Sequence, residues 1–362
     1  MPASRTRRSP RRSGARPLWE AIPTNLENFT FMLVAVVVLA VIFDYVNGFH
    51  DTANAIATSV ATQALRPSHA ILMATSFNFI GAFAGTAVAK TIGSGLVNDQ
   101  TTTQTIVAAA LIGAIIWNLI TWRLGLPSSS SHALIGGLLG ATIVGAGWSE
   151  LKWGDLTSGI IGKVIVPLVS SPILGFIIAL AFMVALYWIF RRAQRKPLAR
   201  VFRRLQVFSA GFMAFAHGSN DAQKTMGIIT LALFSAGVLD TNTVPAWVIV
   251  LAASAISLGT AVGGWRIMKT MGHKVTELEP IHGFAAETTG ASIILAAAHF
   301  GMPVSTTQVI SSAIMGVGSS RGTKGVRWGV ARSILVAWVL TIPAAGLMGA
   351  AAWWALNALG VS

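Results

Sequence analysis

Two octapeptides set ionisable and amide side chains inside apolar sequence: Asn47-Gly48-Phe49-His50-Asp51-Thr52-Ala53-Asn54 and His217-Gly218-Ser219-Asn220-Asp221-Ala222-Gln223-Lys224. Ionisable residues are costly in a bilayer and mark ion or substrate pathways, so a duplicated aspartate points to a site between two halves of the chain. The glycine ahead of each aspartate is read as a break in an apolar helix. Two further segments, Leu126-Pro127-Ser128-Ser129-Ser130-Ser131-His132 and Met302-Pro303-Val304-Ser305-Thr306-Thr307-Gln308, lead into apolar runs. Proline is tolerated in the first turn of a helix and a neighbouring hydroxyl can cap it. A helix N-terminus offers unpaired N–H donors and partial positive charge, so each turn is a candidate anion cradle. Its hydroxyls are Ser128, Ser129, Ser130 and Ser131 in one copy, and Ser305, Thr306 and Thr307 in the other. The plainer alternative is that they only cap and pack helices.

Ionised Asp51 and Asp221 would repel an oxyanion at close range in a low dielectric, so they require cations or protons. Carboxylates, amides and exposed helix carbonyls suit a hard cation such as sodium, which makes the two aspartates the candidate metal site and coupling pair. A protonated aspartic acid donating to the oxyanion is the other route, and either one couples anion to cation. Asn54 and Lys224 each follow their aspartate by three residues and share its helix face. Asn54 can donate to an oxyanion or accept a cation, and Lys224 can hold the anion or neutralise Asp221. Glu287, in Gly283-Phe284-Ala285-Ala286-Glu287, is a further coupling candidate, with an interfacial helix-end glutamate as its plainer reading. Gln308 is a ligand candidate on its turn, and its repeat partner His132 titrates near neutral pH in water. His50 beside Asp51 reads first as a structural, hydrogen-bonded histidine.

The elements that must position these groups are transmembrane helices. Hydrophobic residues make up 54% of the chain and charged residues 10%, and mean hydropathy is +0.67, far from the roughly 25% charge of soluble domains. Apolar stretches fall near 29–49, 68–92, 101–122, 128–148, 158–190, 207–237, 244–267, 282–300, 303–318 and 327–358, several of them too short or too long for one simple span. They do not alternate with period two, which excludes a transmembrane barrel. The 36 glycines and 13 prolines beside polar clusters predict discontinuous helices. With no cysteine, disulfides, thiolate metal sites and cysteine nucleophiles are excluded.

The repeat extends beyond the aspartates, since Gly85-Thr86-Ala87-Val88 lies opposite Gly259-Thr260-Ala261-Val262, and Gly140 opposite Gly316. The expected fold is an all-α integral membrane protein of two pseudo-symmetric, inverted repeats, with broken helices and re-entrant turns at the midplane. Its expected divisions are a disordered basic tail over 1–28, a first repeat over 29–190, a basic linker loop over 191–206 and a second repeat over 207–362. The net charge of +14 comes largely from the tail and the linker. Positive-inside orientation explains both without any nucleic acid, and where inversion would set them on opposite faces, the linker is the better guide to the cytoplasmic side.

In these motifs the chain resembles the inorganic phosphate transporter (PiT) family, over about residues 30–345. The resemblance implies secondary active import of inorganic phosphate coupled to sodium or protons by alternating access, in the cytoplasmic (inner) membrane. It supports Asp51, Asn54, Asn220, Asp221 and Lys224, with the hydroxyls after Pro127 and Pro303 as substrate contacts. Two departures bear on substrate choice and proton coupling: relatives often read Pro-Val-Ser-x-x-His where this chain has Pro127-Ser128-Ser129-Ser130-Ser131-His132, and often keep His where it has Gln308. Sulfate symport on the same scaffold and a passive anion channel are the competing readings. An enzyme is not expected, because Ser131 beside His132 lacks a Gly-x-Ser-x-Gly elbow. No cofactor is expected beyond the co-transported sodium ion or proton, with a divalent metal as cargo when phosphate travels as its complex. The expected partners are inorganic phosphate, the lipid bilayer and, as a candidate assembly, a second copy of the chain.

Overall fold

The computed structural model describes residues 31–360, so the expected disordered tail at 1–28 lies outside the described residues. Twelve α-helices carry the described fold: α1 Phe31–Ala61, α2 Pro67–Gly81, α3 Ala87–Ser94, α4 Gln104–Leu124, α5 Ser130–Gly145, α6 Val166–Ile189, α7 Arg195–Ser235, α8 Ala246–Val262, α9 Trp265–Lys269, α10 Pro280–His299, α11 Thr306–Ser319 and α12 Trp328–Ala358. By length and composition, Phe31–Ala61, Gln104–Leu124, Ile161–Ile189 and Trp328–Ala358 can each cross a bilayer, and Ala246–Val262 with Trp265–Lys274 forms a pair bent by 60°. α6 and α12 turn apolar faces outward, with Ile177 55% and Val339 76% exposed, as lipid-facing helices do.

The order of elements repeats. A long helix bearing the aspartate motif, a broken pair, a third helix, a short helix after the hydroxyl turn and a long closing helix occur as α1 to α6 and again as α7 to α12. The helices α1 and α7 run antiparallel against each other. Asn47 of α1 meets Asp221 of α7, and fifteen residues further on, just past the end of α1, Thr62 meets Gln206, fifteen residues earlier on α7.

Neither aspartate motif interrupts its helix, contrary to the expectation of a break there: 47–54 lies within α1 and 217–224 within α7. The glycines serve close packing instead. A Cβ on Gly48 would stand 2.3 Å from the Ile256 carbonyl oxygen of α8, and one on Gly218 would stand 2.2 Å from that of Asn78 on α2. Small residues of this kind let membrane helices touch along their backbones. The expected linker loop at 191–206 is also shorter than read. Helix resumes at Arg195, since nothing between Lys196 and Gln206 stops it beyond a proline in the first turn, where proline is tolerated.

True breaks occur elsewhere. α2 and α3 are separated at 82–86, and α8 and α9 at Gly263 and Gly264. Side chains of the neighbouring helices satisfy backbone and polar groups there: Gln223 Oε1 accepts from the Val88 N–H at 2.8 Å, and Asn78 donates to Thr260 at 2.8 Å. The hydroxyl turns are built twice to one plan. Gly125 (φ 66°) and Gly301 (φ 64°) adopt the left-handed conformation just past α4 and α10, which favours glycine. The Ser128 N–H then bonds the Leu126 carbonyl at 2.9 Å, and the Val304 N–H bonds that of Met302 at 2.8 Å, closing matching three-residue turns around the prolines. Pro127 and Pro303 therefore precede the capping residues rather than occupying the first helical turn. α5, with 16 residues, and α11, with 14, rise about 24 and 21 Å, short of the ~30 Å hydrocarbon layer.

Candidate functional site

The starts of α5 and α11 meet at the α1–α7 contact. Ser131 donates to the Val304 carbonyl at 3.2 Å, and His132 Nδ1 lies 3.4 Å from Gln308 Nε2. Around this junction, Asp51 is 2% exposed, Asp221 fully buried, and Ser128 to Ser131, Ser305, Thr306, Thr307 and Gln308 at most 1% exposed. These side chains are buried, and their donors are turned onto one another.

The two aspartates have unequal partners. Asp221 Oδ1 lies 2.6 Å from Lys224 Nζ and accepts from Asn220 Nδ2 at 3.0 Å, while its Oδ2 faces Asn47 Nδ2 at 3.4 Å and His217 Nε2 at 3.6 Å. Asp51 Oδ1 lies 2.6 Å from His50 Nδ1 and at the 3.5 Å limit of a hydrogen bond from Thr307. The other ring nitrogen of His50 sits 3.0 Å from Thr121, so this imidazole is clamped at both ends and orients Asp51. One ligand atom each from Asp51, His217 and Asp221 lies within 4.8 Å of the others. Two carboxylates at that spacing suit a hard cation bound as substrate.

Lys224 also donates to Ser131, so it ties α7 to the start of α5. Asn54 plays the matching part in the other half and donates to Thr306 at 3.2 Å and Thr307 at 2.9 Å. Asn220 Nδ2 reaches the Val304 carbonyl at 3.0 Å. Ser129 and Ser305 are the N-caps: their hydroxyl oxygens accept the backbone N–H of His132 at 3.1 Å and of Gln308 at 3.2 Å. Ser128 donates to Thr121 at 2.8 Å, and Ser130 lies 3.4 Å from His50 Nδ1.

Glu287 is not brought to this junction. Its carboxylate accepts from Thr58, Ser209 and Gln206, and Thr58 lies two helical turns beyond Asp51, about 10 Å along α1. Sequence reading assigned no role to Asn47 and His217, although both stand inside the quoted motifs. Their signal was the repeat itself, since each precedes its aspartate by four residues, one helical turn.

Comparison with known proteins agrees with this geometry. The model of the family described as "Phosphate transporter family" matches residues 47–349. A Bacillus subtilis protein named "Probable low-affinity inorganic phosphate transporter" is 46% identical over 329 residues, 90% of this chain and 97% of its own length. A Rhizobium meliloti protein of the same name is 48% identical over 330 residues, with the same coverage. A solved structure described as "The sodium-dependent phosphate transporter" superposes with a TM-score of 0.78 at 26% identity, covering 91% of this chain and 99% of that one. The chain is a multi-pass membrane protein and belongs to the phosphate transporter family.

Proposed function

We propose that this protein imports inorganic phosphate across the cytoplasmic membrane, coupled to sodium or protons, by alternating access between two inverted repeats. The observation that carries the coupling is the charge balance at the junction. Lys224 neutralises Asp221, while Asp51, which meets His50 and Thr307, pairs with no lysine or arginine among the described residues. Between Asp51, Asp221 and Lys224 there are two carboxyl groups and one ammonium, and adding phosphate without a cation would place further negative charge beside them in low dielectric. A cation between Asp51, His217 and Asp221 lowers that cost, so phosphate binds well only when the cation does.

The hydroxyls, amides and ammonium that now bond across the junction are the groups that would turn to phosphate: Ser130, Ser131, Thr306, Thr307, Asn54, Asn220 and Lys224. Ser128, Ser129 and Ser305 hold the two helix starts in place around them. The inverted arrangement is supported by the antiparallel course of α1 and α7, the corresponding helices of the two halves. An inversion axis in the membrane plane lets the same junction open to either side by rocking one unit against the other.

The test is radiolabelled phosphate uptake into proteoliposomes, with sodium, pH and magnesium varied one at a time and sulfate added as competitor. Accumulation driven by a sodium or proton gradient and resistant to sulfate is expected. Folded protein that accumulates no phosphate under either gradient contradicts the reading.

A further inference from the structure

We propose that the groove at the elbow between α6 and α7 binds an anionic phospholipid of the surrounding leaflet, with its headgroup at Arg191 and its chains along α7. The elbow is short, since α6 closes the first half at Ile189 and α7 opens the second at Arg195. The start of α10 and the segment after α11 stand beside it, and together they leave a cavity of about 560 Å³, within the ~300–1,000 Å³ range of ligand pockets. Leu186, Phe190, Leu198 and Phe202 give it an apolar lining, and Arg191, Glu279 and Arg321 are its charged groups. Its walls therefore come from both halves of the chain.

One of those charges has no counterpart. Glu279 accepts from Arg321 at 2.8 Å, whereas the Arg191 guanidinium lies 5.3 Å over the Trp188 ring and forms no ion pair among the described residues. Arg192, Lys196, Arg200, Arg203 and Arg204 of the same elbow are exposed and equally unpaired. Basic residues beside a membrane span attract anionic lipid. Positive-inside orientation accounts for their presence at this end, but it does not call for an apolar-lined cavity among them.

Depth and direction fit a lipid. The stretch Ile161–Ile189 has 29 residues, a rise of about 43 Å, which matches the ~40–45 Å of a bilayer with its headgroups. The elbow that follows stands at headgroup depth, and Trp188, 67% exposed, is of the residue type that favours it. From the groove an apolar track leads inward. Leu198 begins a stripe with Val201, Leu205 and Phe208, spaced three and four residues apart and so on one helix face; the last three are exposed, Phe208 by 77%. Because α7 runs from the elbow toward Asp221, the stripe descends from the headgroups into the hydrocarbon, as a lipid chain does. Charge selects this occupant: a second copy would bring the same arginines, and the chain ahead of residue 31 is itself arginine-rich, whereas an anionic lipid is opposite in sign.

Native mass spectrometry of the purified full-length protein, titrated in detergent with phosphatidylglycerol or phosphatidylcholine, tests the site. Saturable retention of phosphatidylglycerol in preference to phosphatidylcholine is expected. Arg191→Gln should weaken it about fivefold, the loss of one basic contact at a membrane surface. Ala199→Trp, which fills the groove without removing charge, should weaken it as much. Lys324→Gln makes the same charge change three residues after Arg321, outside the groove, and should leave retention as it was. The proposal is overturned if both lipids are held alike, or if Arg191→Gln and Lys324→Gln weaken retention equally while Ala199→Trp does not, which is diffuse surface attraction. Displacement of the lipid by an equal concentration of glycerol phosphate also overturns it and assigns the groove to a soluble phosphate ester. Should Ala199→Trp fail to elute as a single species, unchanged affinity in Arg191→Gln overturns it. Transport has no part in this readout, so the result stands apart from the transport reading.

Discussion

Lys224 Nζ lies 2.6 Å from Asp221 Oδ1, three residues earlier on the same helix, whereas the corresponding residue after Asp51 is Asn54, which turns away to Thr306 and Thr307. The two halves thus present their aspartates in different charge states of the surroundings. One carboxylate is neutralised from within its own helix, and the other depends on what the site takes up.

Removing the lysine tests that inequality. Lys224→Met leaves Asp221 buried with no cation and deletes the donor to Ser131, so phosphate half-saturation should rise about 10- to 150-fold, the equivalent of ~1.5 to 3 kcal/mol for a charged hydrogen bond. Initial rates of uptake measure it, and unchanged half-saturation would remove Lys224 from the site.

Asp51→Asn and Asp221→Asn should both abolish gradient-driven uptake while the protein still inserts and elutes as a single species. Normal cation dependence of uptake in both variants would exclude them as coupling residues.

The hydroxyl turns divide into caps and donors. Ser129→Ala and Ser305→Ala each delete an N-cap and should cost about 1 kcal/mol of stability, a fall in melting temperature of about 2 °C. Thr307→Val should instead raise phosphate half-saturation with little change in melting. Thermal unfolding in detergent, set beside uptake kinetics, separates the two groups. A half-saturation for Thr307→Val equal to that of the unmodified protein would make this hydroxyl structural.

Gly48→Ala and Gly218→Ala place a methyl group against the backbone of α8 and α2, at the 2.3 and 2.2 Å approaches. Overpacking of this kind costs about 1 to 3 kcal/mol, so both variants should melt earlier and yield less monodisperse protein. Unaltered melting in both would mean that the helices do not touch there.

Much of the site was legible because polar residues stand out in apolar sequence: the aspartates, Asn54, Lys224 and the hydroxyls after Pro127 and Pro303 all meet at one junction. The continuity of α1 and α7 was not legible, since a glycine that admits a neighbouring backbone reads in sequence like one that ends a helix. Glu287 opens no local clue to its distance from Asp51; its place follows from how α10 lies on α1 and α7, and contact with Thr58 and Ser209 appears only in three dimensions.

The central claim is that phosphate moves only with a cation. Simultaneous uptake of labelled phosphate and sodium, with internal pH followed in the same proteoliposomes, tests it most directly. The account predicts phosphate accumulation above its own gradient, matched by sodium or proton influx, collapsed by an ionophore for that ion and lost in Asp51→Asn. Phosphate that merely equilibrates, at a rate indifferent to ionophores and to Asp51→Asn, would contradict it.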